Sequence, residues 1–127
     1  MEFLRKEKFL SDRNELKAVA DDILGRISGN SFTMILFGSH AKGRDKPSSD
    51  IDIIFLLSSA GDEGRIMDAV ATAGRLTNRK VHAITMTYDD FFASLKSGSA
   101  ILPKEVMEKH IIFYGAEAFY RSLVIHG

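Results

Sequence analysis

Cysteine is absent from this 127-residue chain, which excludes disulfide bonds, thiolate metal sites and cysteine catalysis. A net charge is also absent, because 17 basic residues balance 17 acidic ones. Strong binding to duplex nucleic acid usually needs a basic excess, so it is not expected. The longest aliphatic and aromatic run, Ile53 to Leu57, is too short to span a membrane. The charged N-terminal segment lacks an apolar signal core, and we therefore expect a soluble cytoplasmic protein without a membrane contact.

Hydrophobic spacing predicts helices alternating with strands along one domain, residues 1–127. Strands are predicted from short apolar runs at 32–37, 51–57, 81–87 and 110–114. Helices are predicted at about 11–29, 40–44, 66–78, 87–96, 103–109 and 116–123, and residues 58–64 are predicted to be a polar turn. This order predicts an α/β or α+β fold with helices packed on a mixed sheet. Its core is expected at about 11–96, followed by an α-β-α extension at about 97–127.

Two acidic residues, Asp50 and Asp52, lie at the start of the second predicted strand, one just before it and one within it. Residues two apart on a strand face the same side, so both carboxylates project together while Ile51 and Ile53 point into a core. Adjacent carboxylates repel unless a cation neutralises them, and their hard oxygen ligands suit Mg²⁺. The alternative is an edge strand whose alternating acids face water.

A glycine-serine pair precedes these acids, at the end of the first predicted strand. Gly38 allows the backbone to approach a ligand closely, and Ser39 offers a hydroxyl and an amide where a helix begins. Lys42, Arg44 and Lys46 add positive charge nearby. With the two acids, these residues predict a triphosphate held between a helix N-terminus and a metal. Alone, Gly38-Ser39 would be an ordinary turn between a strand and a helix.

The joined motif, Gly-Ser-x-x-x-Gly followed by Ser-Asp-Ile-Asp-Ile at residues 38–53, resembles the signature of the polymerase-beta-type nucleotidyltransferases. Within them it is most similar to the minimal nucleotidyltransferases (MNT), and a weaker resemblance continues to Tyr120. The resemblance implies Mg²⁺-dependent transfer of a nucleoside monophosphate from a nucleoside triphosphate (NTP) to a hydroxyl acceptor, with ATP as the expected nucleotide. It implies these site residues: Asp50 and Asp52 for the metal; Gly38, Ser39, Lys42, Gly43, Arg44 and Ser49 for the nucleotide.

One position departs from the family pattern. Active members usually carry a third carboxylate on a later strand, and the best match here is His82. An imidazole at this position can serve as a base or a ligand, since it titrates near neutral pH. The alternative is a strand-face histidine in a site that has lost its third acid. Whether the chain is an enzyme therefore stays open at this stage.

The family resemblance also implies partners. Minimal nucleotidyltransferases are often paired with a HEPN-type protein as antitoxin-like subunits, so an inactive binding subunit and a nucleotide sensor are the alternatives to an enzyme. Little sequence follows the predicted core, and we expect acceptor binding to need such a partner or a second copy of the chain.

Other aromatic and histidine residues are expected to have structural roles. His40 is predicted to be exposed, and His110 and His126 lack metal-ligand spacing. Asp89 and Asp90 are expected to favour the start of a helix. Core-like positions are predicted for Phe91, Phe92, Phe113, Tyr114, Phe119 and Tyr120.

Overall fold

The computed structural model describes residues 14–27, 32–41, 50–77, 80–98 and 101–126. Over these ranges the chain forms four strands: β1 (Phe32–Phe37), β2 (Ile51–Leu57), β3 (Val81–Thr87) and β4 (Ile111–Tyr114). Its α-helices are α1 (Asn14–Arg26), α2 (Gly38–Ala41), α3 (Glu63–Gly74), α4 (Tyr88–Ser97), α5 (Ile101–Glu108) and α6 (Ala116–His126). This order of helices and strands is the one that the hydrophobic spacing predicts.

The strands form one mixed sheet in the order β3-β2-β1-β4. β1 is antiparallel to both of its neighbours, β2 and β4, whereas β2 and β3 are parallel. Every residue of β1 is buried, and so are all residues of β2 except Asp52. Such continuous burial is expected of inner strands that are covered on both faces.

Helices cover both faces of the sheet, and strand alternation divides the core between them. On one face, Ile51, Ile53 and Phe55 of β2 belong to a cluster with α1 and α3. On the other face, Ile54 and Leu56 belong to a second cluster with α4, α5 and α6. The result is a three-layer arrangement with the sheet in the middle, the mixed α+β fold that the sequence predicts.

Two hydrogen bonds join the start of β1 to the segments that lead into α4 and α6. Thr33, the buried polar residue of β1, has its hydroxyl 2.6 Å from the Tyr88 hydroxyl at the start of α4. The Thr33 hydroxyl also donates to the Gly115 carbonyl oxygen at 2.9 Å. Burial raises the pKa of Tyr88, and the hydrogen bond with Thr33 opposes part of that rise. One hydroxyl therefore connects β1, the β3–α4 junction and the β4–α6 junction.

Helix boundaries depart from the predicted ones more than strand boundaries do. α2 begins at Gly38, two residues before the predicted start at His40. The predicted polar turn at 58–64 is instead a 3₁₀-helix at Ala60–Asp62, and it leads directly into α3. α6 continues to His126, three residues past the predicted end, where the His126 ring stacks on Phe92 and its Nε2 lies 3.1 Å from Asp89 Oδ1.

The start of α4 follows the predicted capping pattern. The Thr87 side chain accepts a hydrogen bond from the Asp90 backbone N–H at 3.1 Å, which satisfies a donor of the first helical turn. At the other end, Gly98 has a φ of 69° and closes the helix in the left-handed conformation. The predicted cap at Ser11, the stop at Gly29-Asn30 and the loop at 45–49 lie outside the described residues.

Candidate active site

Asp52 is held by an inner strand of the sheet. It is the second residue of β2, and β2 lies between β1 and β3, so the interpretation of an edge strand is wrong. Ile51 and Ile53, on either side of Asp52, are fully buried in the cluster beneath α1 and α3. Their burial fixes the register of β2 and directs Asp52 to the opposite face. Asp50 is exposed, one residue before the strand.

Gly38 adjoins Asp52 because the antiparallel register pairs the last residue of β1, Phe37, with Asp52. Gly38 follows with a φ of 74°, a conformation that residues with a side chain rarely adopt. A β-carbon at this position would overlap Asp52 Oδ2 and lie 3.2 Å from Asp52 Cγ. Both the backbone conformation and the space occupied by the carboxylate therefore favour glycine here.

His82 lies beside Asp52 on the neighbouring strand. The parallel register pairs the two residues directly, and the Ile51 N–H donates to the Lys80 carbonyl oxygen at 2.9 Å where this pairing begins. His82 Nδ1 is 3.3 Å from Asp52 Oδ1. The side chains are 59% and 25% exposed, respectively, so both remain accessible to a ligand.

The remaining predicted nucleotide-binding residues are only partly described. The backbone of Ser39 lies in α2, directly after Gly38. Lys42, Gly43, Arg44 and Ser49 lie outside the described residues. The structure thus brings together Gly38, Asp52 and His82 of the predicted set, and it positions Asp50 one residue before β2.

Phe37 is a neighbour of the site that the sequence did not single out. It is opposite Asp52 in the β1–β2 register, and its side chain belongs to the second core cluster. It therefore places apolar packing beside the carboxylate. No sequence signal distinguished Phe37 from the other hydrophobic residues of β1, because its importance comes from the register.

The side chains present suit a divalent cation through their chemistry. Asp52 supplies oxygen and His82 supplies nitrogen within 3.3 Å of each other, and Asp50 adds a second carboxylate near the end of the strand. Within the described ranges, no group of three or more histidine, aspartate and glutamate side chains is arranged to hold a metal. A cation at this site would therefore take ligands from its substrate and from water as well, as Mg²⁺ usually does.

Residues that the sequence assigned to structural roles mostly have them. His110 Nδ1 lies 3.0 Å from the Val106 carbonyl oxygen. Phe91, Phe92, Phe113 and Phe119 are buried. The prediction of core positions for Tyr114 and Tyr120 is wrong, since these side chains are 47% and 40% exposed. Each follows a buried phenylalanine by one residue, which places Tyr114 on the opposite face of its strand and Tyr120 about 100° further around its helix.

The comparison with known families agrees with this geometry. Residues 30–115 match the family model described as Polymerase beta, Nucleotidyltransferase, and the match covers more than half of the chain. The chain therefore belongs to the polymerase-beta nucleotidyltransferase family. None of the curated proteins matches it. In the part of the chain that the structure describes, no helix is both long enough and apolar enough to cross a membrane.

Proposed function

We propose that this protein transfers a nucleoside monophosphate from an NTP, with ATP as the expected donor, to a hydroxyl acceptor and releases pyrophosphate. Membership of the nucleotidyltransferase family supports this class of reaction. The observation that carries the proposal is the position of Asp52, at the end of an inner strand with Gly38 against one oxygen and His82 beside the other. An acidic group held this closely has little freedom to reorganise, which favours electrostatic catalysis.

The proposed metal ligands are Asp50 and Asp52, and the proposed metal is Mg²⁺. Members of the superfamily generally use a divalent metal. When bound, Mg²⁺ would neutralise phosphate oxygens and the charge that develops at the α-phosphate. Gly38 is proposed to bring its backbone close to a phosphate, since it has no side chain, while Asp52 fills the space beside its Cα. The resemblance adds Ser39, Lys42, Gly43, Arg44 and Ser49 as groups that position the nucleotide.

In the proposed reaction the acceptor oxygen bonds to the α-phosphorus, and the bond from that phosphorus to the bridging oxygen of pyrophosphate breaks. The hydroxyl proton leaves to a base or to water. Two roles fit His82, which stands where the family usually has a third carboxylate: accepting this proton or binding the metal. The chain's own residues thus contribute positioning and electrostatics, the main sources of acceleration in phosphoryl chemistry.

The direct test uses NTPs labelled at the α-phosphate, Mg²⁺ and candidate hydroxyl acceptors. We expect labelled product from the wild type and a loss of at least about a hundredfold in Asp50→Asn or Asp52→Asn. Asp68→Asn is the matched control, because Asp68 is an exposed aspartate on α3, outside the site. Equal transfer by the wild type and both site variants would refute the proposal.

The acceptor is proposed to be a hydroxyl on a partner protein, either a HEPN-type protein or a second copy of this chain. A search by mass spectrometry for nucleotide adducts on co-purifying proteins tests this part. An adduct that forms with the wild type but not with Asp52→Asn would support it. An adduct found on free nucleotides or tRNA instead would replace the protein acceptor with a small-molecule or nucleic-acid acceptor.

A second candidate function is a binding subunit or nucleotide sensor without turnover. The resemblance places His82 where active members usually carry a third carboxylate, and its position 3.3 Å from Asp52 Oδ1 is the observation that supports this second candidate. Calorimetry with Mg²⁺ and ATP separates a nucleotide sensor from a subunit that neutralises its partner by contact alone, since only the sensor binds the nucleotide. A tight complex with a HEPN-type protein that survives Asp50→Asn and Asp52→Asn would support neutralisation by contact.

A further inference from the structure

The pair formed by His82 and Asp52 differs from an all-carboxylate metal site in the kind of donor atom that it offers. A carboxylate presents hard oxygen, whereas imidazole nitrogen suits transition metals better than it suits Mg²⁺. The donor chemistry of this site is therefore mixed, and its preference among divalent ions should differ from that of a site built from oxygen alone.

The spacing of the pair is compatible with one shared cation. His82 Nδ1 and Asp52 Oδ1 are 3.3 Å apart. Two ligands bound at about 2.1 Å are about 3.0 Å apart at neighbouring corners of an octahedron and about 3.4 Å apart in a tetrahedron. The observed spacing lies between these values.

The strand register makes this arrangement rigid. Asp52 and His82 are direct partners in the parallel β2–β3 pairing, which continues for five further residues to Leu57 and Thr87. A slip of β3 by one residue would turn His82 to the opposite face of the sheet, and it would move Val81 and Ala83 out of the core cluster that they pack against. The imidazole is consequently kept beside the carboxylate, with 59% of its side chain exposed to incoming ligands.

We propose that His82 is a nitrogen ligand of the catalytic metal and that the site prefers Mn²⁺ to Mg²⁺. This inference rests on the proposed function, because it concerns the same metal site and the same Asp52, and it replaces Mg²⁺ by Mn²⁺ as the preferred ion of that site. Mn²⁺ accepts both imidazole and carboxylate ligands, and it tolerates the phosphate and water oxygens that must complete its coordination. The competing explanation is that His82 only donates a hydrogen bond that orients Asp52.

The test measures the bound metal directly, without turnover. The full chain is mixed with Mn²⁺ and inorganic tripolyphosphate, which contains no nitrogen, and ¹⁴N coupling to Mn²⁺ is measured by pulsed electron paramagnetic resonance. We expect histidine ¹⁴N coupling in the wild type, its loss in His82→Gln and its retention in His126→Gln. The last variant is the control, because His126 contacts Asp89 and Phe92 of α4, beyond the far end of β3.

Calorimetry with each metal supplies the second measurement. His82→Asp restores an all-oxygen site, so we expect its ratio of Mn²⁺ affinity to Mg²⁺ affinity to fall about tenfold below that of the wild type. Circular dichroism melting verifies that each variant is folded, and His82 is exposed enough for both substitutions to be tolerated.

The outcomes separate this inference from the proposed function. Mn²⁺ binding that depends on Asp52 but has no ¹⁴N coupling in the wild type would overturn the assignment of His82 as a ligand and leave the proposed function standing. An unchanged ratio of affinities in His82→Asp would also overturn it. Metal binding that is unaffected by Asp52→Asn would overturn both, since Asp52 is common to them.

Discussion

Gly38 provides the sharpest test of the site geometry, because two separate effects oppose any larger residue there. In Gly38→Ala the alanine must adopt a backbone φ near 74°, which costs about 1 kcal/mol or more for a residue with a β-carbon. The same β-carbon overlaps Asp52 Oδ2, so the carboxylate must leave its position at a cost of about 1 kcal/mol. We expect the free energy of unfolding to fall by about 2–3 kcal/mol.

The chain contains matched controls for the two effects. Gly98 has a similar φ of 69°, but a β-carbon there would meet only the end of the Lys104 side chain at 3.7 Å. Gly98→Ala should therefore show the backbone cost alone, about 1 kcal/mol. Gly115→Ala should cost the most, since its β-carbon would overlap the Phe32 carbonyl oxygen and the backbone itself would have to shift.

Urea unfolding followed by circular dichroism measures these costs, and a double-mutant cycle isolates the clash. Asp52→Ala removes the carboxylate that Gly38→Ala would displace. In that background Gly38→Ala should cost about 1 kcal/mol less than it does in the wild type. If Gly38→Ala costs no more than Gly98→Ala, or costs the same with and without the Asp52 carboxylate, then Asp52 is not held against Gly38.

Substitutions at three further positions test the packing that supports the site. The pKa of Tyr88 is raised in the folded protein, so the folded state keeps the phenol proton when the unfolded chain loses it near pH 10, and stability falls as the pH rises above 10. Tyr88→Phe should remove this fall in urea titrations at pH 9 to 11. An unchanged dependence of stability on pH would contradict the assignment. Thr87→Ala removes the hydrogen bond that caps the Asp90 N–H and should lower the free energy of unfolding by about 1 kcal/mol, whereas Thr87→Ser keeps a hydroxyl and should lower it less. Equal losses of stability in the two variants would exclude a capping role. Phe91→Ala leaves a cavity at a fully buried position and should lower the free energy of unfolding by about 3–5 kcal/mol. A loss below about 1 kcal/mol would show that the second core cluster repacks around the smaller side chain.

The strands could be predicted from the sequence because their signal is local. β1, β2 and β3 have the predicted bounds, since each is an apolar run rich in strand-forming residues and ended by polar or glycine residues. The helix ends were predicted less well. The 3₁₀-helix at Ala60–Asp62 continues into α3 without a break, and the additional turn of α6 packs through the contacts of His126 with α4. Those contacts depend on tertiary structure, which periodicity does not report.

The candidate site was likewise predicted from the sequence only in part. The Asp50–Asp52 motif and the glycine at the start of α2 are visible in the sequence, and their resemblance to a family predicted that His82 would fall near them. The positive φ of Gly38 and its contact with Asp52 could not be predicted, because they arise from the antiparallel register of β1 and β2. The same is true of Phe37, whose place opposite Asp52 follows from that register. The roles of all these residues in catalysis remain predictions for the transfer and metal-binding experiments.

The position of the Thr33–Tyr88 hydrogen bond affects how the sequence of this protein can evolve. Thr33 and Gly38 stand near opposite ends of β1, and the five residue steps between them span about 16 Å. Effects on stability at sites so far apart usually add without interaction. Substitutions around Asp52 and His82 should therefore leave unchanged the stability that the hydrogen bonds of Thr33 contribute. The two ends of β1 can thus change independently, so that the proposed site can diverge without loss of the fold.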